Sequence, residues 1–234
     1  MKSFKKSNKN GDFFIVSPLG ARVQALIING ESILREDDGS NPKRSGIPIL
    51  GPIVDANCGI WPKIAPNMPQ HGTDRITNWE VTEETATSLT FKRTYDGIDH
   101  PLMGEAMIRI AIDTPHTFTI ERKTTHRGTF AVPLGTGLHT YFLPLAQFSG
   151  LDVFTVENKK TYLLPGAEEV TMVLDGNRYI IRTEPATIHT VVWTENGHDH
   201  ICVEPWWAEI GNAPMIKPGE TRIELYSISR AVDN

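Results

Sequence analysis

Short runs that alternate polar and apolar residues recur along this chain, with turn residues between them. Ser88-Leu89-Thr90-Phe91-Lys92 is one such run, and Thr117-Phe118-Thr119-Ile120-Glu121 is another. Met107 to Ile112 puts Ile108, Ile110 and Ile112 on one face, and Arg222-Ile223-Glu224-Leu225 repeats the pattern. Val191-Val192-Trp193-Thr194 is β-branched and aromatic. A period of two makes each run a strand with one face toward a core. Leu174-Asp175-Gly176-Asn177, Tyr95-Asp96-Gly97-Ile98 and Glu195-Asn196-Gly197-His198 are hairpin cues, because Asp-Gly and Asn-Gly pairs accept the positive φ of tight turns. No long window has helical period. The pattern predicts an all-β sandwich or barrel. No linker or repeat divides it, so residues 12–234 are read as one domain. Residues 1–11 are lysine-rich, lack the apolar stretch of a signal peptide and are expected to form a mobile tail.

The formal charge of −5 argues against nucleic acid or an anionic membrane as a partner, since binding phosphates calls for a basic face. No apolar run approaches the ~20 residues of a membrane span. The only cysteines are Cys58 and Cys202, too few for a disulfide framework, so the expected compartment is the reducing cytoplasm.

Three stretches carry candidate chemistry. Ile201-Cys202-Val203-Glu204-Pro205-Trp206-Trp207 reads as a buried strand with a proline stop and two indoles. Alternation puts Cys202, Glu204 and Trp206 on one face. A carboxylate among indoles suits a sugar, whose C–H surface stacks on aromatic faces and whose hydroxyls need polar partners; the plainer reading is a Glu paired with Arg or Lys. Residues 41–79 break the alternation, are rich in Pro and Gly, and hold Arg44, His71, Asp74 and Arg75, all suited to binding hydroxyls or a phosphate. Lys43 and Arg44 also fit a solvated loop pair. Gly135-Thr136-Gly137-Leu138-His139-Thr140-Tyr141-Phe142 has glycines that let a ligand or backbone approach, with His139 and Tyr141 on one face. His139 alone fits a core histidine; with Glu204 it makes an acid and base pair.

In order, these segments resemble the aldose 1-epimerase (mutarotase) family, including its hexose-phosphate branch. Gly46-Ile47-Pro48 is similar to the family's early Gly-Ile-Pro segment. His71-Gly72-Thr73-Asp74-Arg75 is similar to His-Gly-Phe-Ala-Arg, and Gly137-Leu138-His139-Thr140-Tyr141-Phe142 to Gly-x-His-Pro-Tyr-Phe. The 192–206 region resembles the catalytic strand, and Lys217-Pro218-Gly219-Glu220 the late Pro-Gly-Glu. The resemblance implies a large twisted antiparallel β-sandwich that interconverts α and β anomers of a hexose or hexose phosphate, without metal or cofactor. It implies Glu204 as general base, His139 as general acid and His71 as a hydrogen-bonding partner of the sugar. Arg75, Arg44, Asp74, Trp206 and Trp193 would contact substrate. Asp74 departs from the family pattern and is expected to pair with Arg75.

Two other readings stay open. His198, His200 and Glu204 mimic part of a cupin metal motif, but no histidine follows His200 to complete it. A sugar-binding sandwich without catalysis would keep the fold, yet would not need both acid and base. Cys202 is read as a small core residue.

Overall fold

The computed structural model describes residues 2–35, 44–56, 59–143, 161–174, 176–193 and 200–231. Lys43, Cys58, Asp175 and residues 194–199, with the Asn196-Gly197 cue and His198, lie outside them. In chain order, β1 (Phe4–Ser7), β2 (Phe13–Ser17), β3 (Arg22–Ile28) and β4 (Glu31–Ser32) form a four-stranded antiparallel sheet. β5 (Ile49–Leu50), the one-turn helix α1 (Trp61–Ile64) and a 3-10 turn (Asp74–Ile76) occupy the Pro- and Gly-rich stretch. Next come β6 (Glu80–Glu84), β7 (Ser88–Asp96), β8 (Met103–Thr114) and β9 (Thr117–His126), then the short β10 (Val132–Pro133), β11 (Gly137–Leu138) and β12 (Thr140–Phe142). The rest are β13 (Thr161–Pro165), β14 (Glu169–Leu174), β15 (Asn177–Glu184), β16 (His189–Trp193), β17 (Ile201–Trp206), β18 (Met215–Ile216) and β19 (Thr221–Arg230).

Two sheets dominate this β-sandwich. One has seven strands in the order β14-β15-β19-β9-β8-β7-β6. The other runs β13-β16-β17-β11-β5, with β12 also paired to β17. All their pairings are antiparallel. Alternation sorts the side chains as the sequence predicts. Ile108, Ile110, Phe91 and Phe118 of the larger sheet share a core with Ile49, Leu138, Val192 and Val203 of the smaller one. The neighbouring residues Leu50, Val191 and Trp206 turn to the other face, into a second cluster with Ile53, Val54, Trp61 and Met68. The smaller sheet is therefore covered on both sides, and Glu204 projects on the face of the second cluster.

Three local expectations are corrected. Residues 4–7 are not a tail: they pair with β2, Phe4 packs on the core, and Lys6 is buried against Glu84 at 2.5 Å. Pro205 does not stop its strand, since β17 continues to Trp206. β16 stays in register with β17 through this point, with Thr190 opposite Pro205, and the proline falls between the residues paired to β12 (201–203) and the one paired to β11 (Trp206). Asp96-Gly97 opens a loop from 97 to 102, not a two-residue turn, whereas Leu174 and Asn177 do close a tight hairpin.

Gly46 links the four-stranded sheet to the site-bearing segments. Its φ is +67°, its carbonyl accepts from the Tyr141 N–H, and a Cβ there would lie 1.9 Å from the Val23 carbonyl oxygen. Gly46→Ala is expected to destabilise the protein by about 1–3 kcal/mol or more, from left-handed strain plus backbone displacement. Urea unfolding of the variant beside wild type measures this.

Candidate functional site

β17 lies inside its sheet, with β16 on one side and β11 and β12 on the other. Continuing the register of Thr140↔Val203 and Gly137↔Trp206 puts His139 opposite Glu204. The His139 N–H turns away to the Pro48 carbonyl, so the early Gly-Ile-Pro segment holds this residue. His139 Nε2 lies 3.2 Å from Glu204 Oε1. The Trp206 indole donates to Glu204 Oε2 at 3.1 Å. Glu204 is 3% exposed and His139 7%. Burial pushes the Glu204 carboxyl up to about 8, against the opposing pull of the Trp206 hydrogen bond and the Arg75 charge. Burial also holds the His139 imidazolium well below its usual range, helped by the charges of His71 and Arg75.

His71 reaches the pair from the irregular stretch. It has φ +67°, followed by Gly72 at +72°, and this left-handed pair turns the ring inward. His71 Nδ1 lies 2.6 Å from the Val54 carbonyl oxygen, which can only accept, so Nδ1 carries the proton and Nε2 is the acceptor. Burial first, then the Arg75 charge, lowers His71 to about 4. The neutral ring makes T-shaped contacts with His139 at 5.4 Å and with Trp206 at 6.3 Å.

Asp74 and Arg75 are adjacent yet go opposite ways. Arg75 lies within electrostatic range of Glu204 and Tyr141. Asp74 is fully buried and does not pair with Arg75. Its carboxylate is bound by Arg93, by Arg122 at 2.8 Å and by the Tyr95 hydroxyl at 2.9 and 3.0 Å. With both carboxylate oxygens engaged in the core, Asp74 has none to offer a ligand. It anchors the 3-10 turn and thereby aims Arg75.

Aromatic rings complete the site. Tyr141 stacks on His139 with centroids 4.5 Å apart and planes 11° from parallel. Trp193 stands edge-on to His139 at 6.2 Å, and the Arg44 guanidinium lies 5.5 Å from the Trp193 ring centre. His200 contacts Tyr141 and Trp193 at 5.3 and 5.9 Å. The structure thus gathers His71, Arg75, Arg44, His139, Trp193, Glu204 and Trp206 and leaves Asp74 behind. Tyr141 belongs with them, as its i+2 spacing from His139 signals. The Val54 carbonyl that fixes the His71 tautomer has no sequence signal at all.

The aldose 1-epimerase family model matches residues 5–159. The chain belongs to the aldose 1-epimerase family. No curated protein matches in sequence. Solved structures share the fold at low identity. The Slr1438 protein of Synechocystis sp. PCC 6803 is similar at 19% identity and TM-score 0.85, over 99% of this chain and 96% of its own. A galactose mutarotase-like protein from Lactobacillus casei is similar at 13% and 0.77, over 98% and 100%. The GalM/aldose epimerase homologue from C. elegans is similar at 14% and 0.72, over 100% and 99%.

Asp74→Ala would leave the guanidinium of Arg122, itself 5% exposed, without its nearest anion. The expected loss is about 3–5 kcal/mol of folding stability. Equilibrium unfolding in guanidinium chloride reads it directly.

Proposed function

We propose that this protein interconverts the α and β anomers of a hexose by acid and base catalysis. The observation that carries the reading is the buried contact between Glu204 and His139, 3.2 Å apart and flanked by a neutral His71. In the reactive form Glu204 is a carboxylate and His139 an imidazolium. Glu204 takes the proton of the anomeric hydroxyl as the C1–O5 bond breaks, and His139 Nε2 gives its proton to O5. The open aldehyde turns about C1–C2, O5 attacks the other face of C1, and both protons return. His71 Nε2 accepts a hydrogen bond from a sugar hydroxyl, and Arg75 steadies the negative charge on the oxygens. Trp206 and Trp193 offer faces to the ring.

The proton inventory sets the pH dependence. The reacting pair holds one proton throughout, on His139 before ring opening and on Glu204 after it, because the proton taken from the anomeric hydroxyl replaces the one given to O5. In the empty site burial favours the neutral form, carboxylic acid beside imidazole, and the 3.2 Å contact lets that proton pass to His139. Such coupled values belong to the pair rather than to either residue. The one-proton state is lost above about 8, where Glu204 titrates, and gains a second proton only well below the usual histidine range. The expected kcat/KM is level from below neutrality to about pH 8 and falls tenfold per unit above it. Stopped-flow polarimetry, corrected for the uncatalysed rate at each pH, measures the profile. A fall centred near 6.5 would contradict it.

NMR saturation transfer between anomers of glucose and galactose, with EDTA present, tests the activity itself. Glu204→Gln and His139→Asn are each expected to lower exchange by about 10²–10⁴-fold. A folded protein that binds sugar but exchanges no anomers would be a binding module instead. One observation favours a phosphorylated hexose: the Arg44 guanidinium held over Trp193 beside the site. On that reading Arg44→Ala raises KM for glucose 6-phosphate about tenfold and leaves glucose unchanged, since a guanidinium is matched to phosphate.

A further inference from the structure

Cys202 takes no part in the proposed chemistry, yet its thiol lies against the pair that does. Cys202 Sγ, a His139 ring nitrogen and a Glu204 carboxylate oxygen all fall within 4.8 Å of one another. We propose that these three side chains form a site for one thiophilic divalent cation of the zinc class, which competes with the sugar. The inhibitory consequence rests on the catalytic reading; the metal site itself does not.

The donor set is one that zinc takes, with sulfur, imidazole nitrogen and carboxylate oxygen together. The spacing of the nitrogen and oxygen donors also fits. Zinc bonds of ~2.0–2.2 Å to nitrogen and oxygen, at a tetrahedral angle, set those atoms about 3.3 Å apart. The observed separation of His139 Nε2 and Glu204 Oε1 is 3.2 Å. Three protein donors leave a fourth position for water, as in open zinc sites.

The backbone fixes the arrangement. Cys202 and Glu204 are i and i+2 on β17, hence on one face, and His139 projects from the junction between β11 and β12, both paired to β17. Cys202 is fully buried and the other two nearly so, so the donors have little side-chain freedom left to lose on binding. This set differs from the cupin-like one in taking His139 and Cys202 as donors, and among the described residues His200 does not belong to it.

Two features mark the ion as exchangeable rather than resident. A permanent ligand histidine usually has its second nitrogen bound to a carbonyl or carboxylate, whereas His139 Nδ1 has no hydrogen-bond partner among the described residues. The positive charge of Arg75, felt at Glu204, opposes a cation. Both weaken binding and favour reversibility.

The test uses the whole purified protein, with Zn²⁺ in calorimetry and Co²⁺ as an optical probe for thiolate-to-metal charge transfer. The expected result is one Zn²⁺ per chain and a Co²⁺–thiolate band, with anomer exchange arrested by Zn²⁺ and restored by EDTA. Cys202→Ser should abolish the band. Glu204→Gln, which keeps the thiol, should weaken Zn²⁺ binding more than about 10–100-fold, the effect that outer partners of a metal site already have. Circular dichroism checks that both variants fold. A band that survives Cys202→Ser would point to Cys58 and overturn the site, as would absence of the band in wild type. Exchange that proceeds unchanged under saturating Zn²⁺ overturns the proposal and leaves the catalytic reading standing. A Cys202-dependent band in a protein that exchanges no sugar does the reverse.

Discussion

The irregular stretch between β5 and β6 keeps its shape through one buried charge. Asp74 is bound by Arg93 and Tyr95 from β7 and by Arg122 from β9. Arg122 also donates to the Leu50 carbonyl of β5 at 3.0 Å and to the Tyr95 hydroxyl at 3.1 Å. One guanidinium therefore ties the larger sheet to the smaller one and to the loop. Desolvating such charges is costly, and the network is tolerable only because each member has several partners. The loop it holds carries His71 and Arg75, so the aim of both depends on an interaction that touches no ligand.

Gly51 shows how tightly that junction is packed. A Cβ there would come within 2.3 Å of Asp74 Oδ2 and 2.7 Å of Arg122 Nη1. The Gly51 carbonyl accepts from the Asp74 N–H, and its own N–H donates to the His71 carbonyl. A glycine between sheet and loop lets the carboxylate reach the sheet while the backbone next to it supports the histidine. Rigid supports of this kind let a site act by position and proton transfer, because little reorganisation is left to the moment of reaction.

Much of the fold is legible in the sequence because alternation is a local property. Ile108, Ile110 and Ile112 announce a strand and its buried face without reference to anything distant. The same logic reaches Glu204 and Trp206, and the i+2 step links His139 to Tyr141. What the sequence does not display is partner choice across long separations. Asp74 stands beside Arg75 in the chain, and neighbouring opposite charges invite pairing. In the folded protein its partners come from β7 and β9, because a 3-10 turn sends consecutive side chains in different directions. The N-terminal lysines mislead for a related reason. Their charge suggests solvation, but β1 is a strand whose Lys6 finds Glu84 across the fold. Pro205 misleads because a proline need not end a strand whose other edge stays paired, and β16 keeps its register with β17 on both sides of it.

Asp74 and Glu204 are equally removed from water, yet their surroundings assign them different work. Asp74 faces two guanidinium groups and a phenol, strong donors that hold its carboxylate in place. Glu204 faces an imidazole and an indole, with Arg75 acting only from a distance. An imidazole can give up its proton and a guanidinium cannot, so Glu204 and His139 can exchange a proton where Asp74 and Arg122 can only hold one another. Burial penalises an unpartnered charge in either place. The identity of the basic partner decides whether that penalty becomes rigidity or a proton poised to move. By that criterion the pair of Glu204 on β17 and His139 opposite it, rather than the larger charge network beneath it, suits the proton transfers we propose.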